Sequence, residues 1–120
     1  MEPQIVHPNP EEESVTRERC AILECWNTRA DPDVSIARAR VAPGATTELH
    51  SLDVDERYLV LEGTGVARVG HLRAEVVVPG DVVVIPAGTP QQMTNGGDDD
   101  LVFYCVCSPR FSPEGYRSLE

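Results

Sequence analysis

Residues Glu48–Gly63 read ELHSLDVDERYLVLEG. From Glu56 the stretch settles into near-alternation, with Tyr58 and Val60 on the same side as Glu56, and it stops at a glycine. Side chains on a strand alternate between faces, so Glu48, His50 and Leu52 also share one face. Leu52 is apolar, which turns that face toward an interior. The stretch therefore predicts two strands that carry a histidine and a glutamate into the inside of a β-structure.

The neighbouring segments extend the pattern. VSIARARVAPG (residues 34–44) alternates and ends at a Pro-Gly turn. CAILECW, GVARVG, AEVVVPGD, VVVIPAGTP and LVFYCVC are short and mostly β-branched or apolar, and several close on Pro or Gly. MTNGGDDD is a loop whose Asn-Gly and Gly-Asp steps carry hairpin chemistry. The tail SPRFSPEGYRSLE reads as a short turn of helix. No amphipathic helix of ordinary length stands out. Short strands at regular spacing predict an all-β sandwich or barrel.

The chain has 120 residues, one domain's worth. Residues 1–13 contain three prolines and the Glu11-Glu12-Glu13 run, and read as an extended arm; residues 14–120 form the barrel domain. The 10 basic and 20 acidic residues give a net charge of −10, which argues against nucleic acid and anionic membranes as partners. No apolar run approaches a membrane helix. The acidic, proline-bearing start has the wrong chemistry for a signal peptide, so a cytoplasmic protein with four free thiols is expected.

Two blocks match a known pattern. The first has the form G-x5-H-x-H-x3-E-x6-G and is filled by Gly44, His50, Glu56 and Gly63, with Leu52 at the second histidine. The second has the form G-x5-P-x-G-x2-H-x3-N and is filled by Gly80, Pro86, Gly88 and Asn95, with Gln91 at the histidine. The chain thus resembles a small single-domain bacterial cupin of the conserved-barrel type, with both departures at metal-ligand positions. ERY, TPQQ and CVCSPRFSPEGY further resemble a subgroup of small bacterial cupins, most of whose members have no assigned activity. The resemblance implies a jelly-roll β-barrel (double-stranded β-helix), a homodimer, and a barrel mouth in which His50, Glu56 and Gln91 meet.

Two readings of that trio stand side by side. Imidazole with carboxylate and amide oxygens suits a divalent metal such as Mn, Fe, Ni or Zn, and Glu48 offers a fourth ligand. The same three side chains also suit a hydrogen-bonded polar network without metal, because buried polar groups need partners in either case. Cys105 and Cys107 share a face with Phe103 and read as small buried hydrophobes in preference to a thiolate pair; Cys20 and Cys25 read the same way. His7 and His71 fall in the arm and in a turn.

Two functions follow. One is a metal-dependent enzyme on a small polar metabolite, with a metal at His50, Glu56 and Gln91 polarising a carbonyl and Glu48 or Tyr58 moving a proton. The other is a ligand-binding or sensory module without metal or turnover. Both take a small molecule as partner.

Overall fold

The computed structural model covers residues 1–120. Residues 1–9 have no regular structure, and a 3-10 turn follows at Pro10–Glu12. The strands are β1 (Ser14–Val15), β2 (Ala21–Trp26), β3 (Ser35–Val41), β4 (His50–Leu52), β5 (Asp55–Glu62) and β6 (Gly65–Val69). They continue with β7 (Glu75–Val77), β8 (Val82–Ile85), β9 (Gln91–Thr94), β10 (Leu101–Ser108) and β11 (Tyr116–Ser118).

Two antiparallel sheets form a jelly roll. One has the order β1-β2-β3-β10-β5-β8, the other β11-β4-β9-β6-β7. Alternation in the sequence decides which side chains enter the space between them. On β5, Glu56, Tyr58 and Val60 are buried while Arg57, Leu59 and Leu61 are not. The main core joins Val41, Val60, Ile85, Leu101 and Phe103 from the first sheet with Ala67, Val77 and Met93 from the second. A smaller cluster of Leu52, Val54 and Cys107 lies apart from it, covered by Phe111 and Tyr116.

Turn chemistry fixes the crossovers. Gly63 has φ +76°, and a Cβ there would stand 2.4 Å from the Asp100 carbonyl oxygen, so both conformation and space require glycine. Two expectations need correction. The Asn95–Asp100 loop is not a hairpin, since β9 and β10 lie in different sheets and the loop carries the chain across between them. Its Asn-Gly step is used otherwise: the Asn95 side chain folds inward and bonds the loop to β3. The tail does contain a short 3-10 turn, Pro113–Gly115, but it ends in strand β11, which pairs with β4 through Tyr116↔Leu52 and Ser118↔His50. No helix is long and apolar enough to cross a membrane.

Candidate functional site

A cavity of about 60 Å³ opens between the sheets. Strand β4 brings His50 and Leu52 to it, β5 brings Glu56 and Tyr58, and β10 brings Phe103, Cys105 and Cys107. The β2 end adds Glu18, Cys20 and Glu24, and Ala37 and Ala39 of β3 form part of its apolar wall. These positions follow from strand periodicity, because every second residue of each strand meets the same interior.

His50 is held in one tautomer. Its Nδ1 lies 2.7 Å from the Glu48 carbonyl oxygen, an acceptor only, so Nδ1 carries the proton. The ring also stacks on Tyr116 with centroids 4.7 Å apart and planes 16° from parallel. Tyr116 in turn donates to the Glu48 carboxylate at 2.5 Å, and the Arg17 guanidinium lies 4.6 Å over the Tyr116 ring. Backbone and side chain of Glu48 therefore hold the two stacked rings, which leaves Nε2 of His50 as the nitrogen free to act.

Glu56 is 6% exposed. Its Oε2 accepts a weak bond from the Cys107 thiol at 3.6 Å, while Oε1 has no partner. Burial pushes its carboxyl up to about 7; the nearby Gln91 amide opposes that shift and the Glu18 charge adds to it. Gln91 pairs with His50 across β4 and β9 but stands behind the cavity wall, fully buried. Its Oε1 accepts from the Tyr58 hydroxyl, and its Nε2 has no partner in hydrogen-bonding geometry. The amide is near enough to Glu56 to favour the anion without completing a bond to it.

The phenol and the thiols around the cavity stay protonated. Burial, and then the Glu56 charge, hold the Tyr58 phenol and the Cys105 and Cys107 thiols above their ordinary values. Cys20 is pushed up to about 12 by burial and by Glu18. Burial raises Glu18 and Glu24 as well, with His50 opposing the shift at Glu18. These thiols are neutral packing groups, and they also line the cavity.

The structure thus brings His50, Glu56, Leu52 and Tyr58 to one cavity and sets Gln91 directly behind them. It turns the Glu48 carboxylate away to Tyr116. No three His, Cys, Asp or Glu side chains gather closely enough to hold a metal ion. Sequence reasoning missed Glu18 and Glu24, which reach the cavity from the segment leading into β2 and from β2 itself. The signal available was Ile22 and Glu24 at alternate positions of one short strand.

This two-sheet roll with a buried histidine and glutamate lining one cavity defines a class, and the family description "Cupin domain" matches residues 37–107. The chain belongs to the cupin family. No curated protein matches it in sequence. Among solved structures it is similar to a cupin 2 conserved barrel domain protein from Salinispora arenicola, at 18% identity over 88% of this chain and 89% of that one, with a TM-score of 0.75. It is also similar to a predicted oxalate decarboxylase from Thermotoga maritima, at 22% identity over 88% and 99%, with a TM-score of 0.75. Oxalate decarboxylase from Bacillus subtilis matches at 17% identity over 98% of this chain and 33% of that one, with a TM-score of 0.79. At these identities the likeness is one of fold.

Proposed function

We propose that this cupin binds a small polar molecule directly on the side chains of its barrel, with no resident metal ion. The observation that carries this reading is Glu56, a buried carboxyl that lines a cavity with room for a few atoms and whose only donor in full hydrogen-bonding geometry is the weak Cys107 thiol. Leaving such a group unpaired costs about 1–3 kcal/mol, more when it is charged, and a bound ligand removes that cost.

The residues present do not fit the divalent ion that the family pattern implies. Leu52 has no donor atom. The Gln91 carbonyl oxygen is taken by the Tyr58 hydroxyl, and only His50 and Glu56 of the expected ligands reach the cavity. A two-ligand site falls short of the three protein ligands that catalytic zinc sites use and of the facial triad of non-haem iron. On this reading Glu48 positions the rings of Tyr116 and His50, and Tyr58 holds Gln91; neither moves a proton.

Elemental analysis of purified protein tests the reading, paired with melting scans against Mn²⁺, Fe²⁺, Ni²⁺ and Zn²⁺ and against small organic molecules. The expected result is less than 0.1 equivalent of any transition metal and a Tm that rises only with organic compounds, where ~1–2 kcal/mol of binding energy moves the Tm of a domain this size by several degrees. One bound metal per chain overturns it.

A further inference from the structure

We propose that the ligand of this cavity is a small organic ammonium ion, an inference that rests on reading the cavity as a ligand site. The side chains of formal charge that line the space are all acidic. Glu18, Glu24 and Glu56 supply three carboxylates, and Nε2 of His50 adds a ring nitrogen whose partner nitrogen is already committed to the Glu48 carbonyl. All 10 basic residues of the chain are arginines, and none lines the cavity. Arg17 lies over the Tyr116 ring, and Arg38 and Arg40 are paired with Glu13 on the other face of β3.

Glu56 supplies the independent sign of a ligand. It is buried, the Gln91 amide beside it does not reach Oε1 in bonding geometry, and the one donor in such geometry is the Cys107 thiol on Oε2, a weak one at 3.6 Å. An ammonium group brings three N–H donors to such a site. Those bonds run to about 2.8 Å, so the acceptors can stand farther apart than metal ligands at about 2.0–2.3 Å. That tolerance matches a cavity where no three candidate ligands converge on a point. Tyr58, Phe103 and Phe111 also line the space, and aromatic faces attract a cation. Leu52, Ala37 and Ala39 complete an apolar wall for a short carbon body, and the volume of about 60 Å³ restricts that body to a few heavy atoms.

The contrast with the structural neighbours sharpens the point. Oxalate, named by two of them, is a dianion, and here it would meet three acidic side chains with no guanidinium to receive it.

Calorimetric titration in phosphate buffer, which contains no competing amine, tests the inference. The probes are ethylammonium and ethanolammonium, with propionate, oxalate and neutral acetamide as counterparts and Zn²⁺ as the metal control. The ammonium compounds should bind at one per chain. Their affinity should fall at least tenfold in Glu56→Gln and several-fold in Glu18→Gln, which keeps the test open should the first variant fail to fold. Acetamide or the anions binding while the ammonium compounds do not overturns the ammonium assignment and leaves the metal-free site standing. Stoichiometric Zn²⁺ binding that Glu56→Gln abolishes overturns both. Ammonium binding that neither variant weakens removes the cavity from the explanation and overturns this inference alone.

Discussion

Asn95 and Glu56 belong to the two motifs that mark this fold, and both are buried polar residues, but they are treated in opposite ways. Asn95 is fully satisfied. Its amide donates to the Val41 carbonyl at 2.8 Å and to the Asp99 carbonyl at 2.9 Å, and its oxygen accepts from the Gly97 N–H at 3.0 Å. Its backbone adds bonds to Gly44 and Ala45, so the loop that follows β9 is tied to the turn that follows β3. Glu56 has one weak bond and one orphaned oxygen. A polar group whose hydrogen bonds all close within the chain is part of the scaffold. One left open beside a cavity is available to something else.

The largest test of this contrast is Asn95→Leu. It strands the buried Val41 carbonyl, takes the partner from the Asp99 carbonyl and the Gly97 N–H, and should destabilise the fold by about 3 kcal/mol, read as a fall in the urea midpoint. A loss below about 1 kcal/mol would mean that Asn95 is not the scaffold residue described here.

Glu56→Gln should do the reverse. A carboxyl held near 7 in the native state but near 4.5 when unfolded keeps its proton longer in the fold, so wild-type stability falls as pH rises between those values and is flat above them. The variant should be more stable than wild type by about 2 kcal/mol at pH 8 and equal to it near pH 4. Glu18 and Glu24 are raised in the same direction by burial, so part of the slope remains. Equal stability of variant and parent at every pH would show that the carboxylate is already paired.

A smaller effect belongs to Tyr58→Phe, which removes the donor to Gln91 and should cost about 1–2 kcal/mol in the same measurement. Smaller again is Cys25→Ala, outside the cavity and half-buried, which should stay within about 0.5 kcal/mol of wild type. Cys107→Ala, in the small cluster with Leu52 and Val54, should cost visibly more.

The scaffold was the legible half. Gly44, Gly63, Gly80 and Gly88 all have positive φ, as their place after strand patterns predicts, and Pro86 ends β8. Local sequence carries such signals because a turn is a local object. The site was less legible because its parts meet through pairings distant in sequence. Tyr116 reaches His50 only because the three residues of β11 add to the edge of β4, and YRS has too little alternation to announce a strand. Glu18 lies in a stretch of charged residues that reads as solvated surface, yet the turn before β2 carries it to the cavity. Gln91 occupies the place of a histidine and faces the expected region, but its carbonyl is drawn to Tyr58, a choice that no spacing in the motif reveals.

The pinning of His50 has a spectroscopic consequence. The chain has three histidines, and His7 and His71 are exposed while His50 is 4% exposed. In a nitrogen-15 spectrum of the imidazoles, His50 should stand apart as the one ring whose Nδ1 proton is fixed on the Glu48 carbonyl, with Nε2 as the other line of the pair. The stacked Tyr116 ring adds a ring-current displacement to the carbon-bound protons of that same imidazole. One resonance set in the whole protein thus reports on the cavity without any attached probe group, and a molecule entering there would move the Nε2 line first.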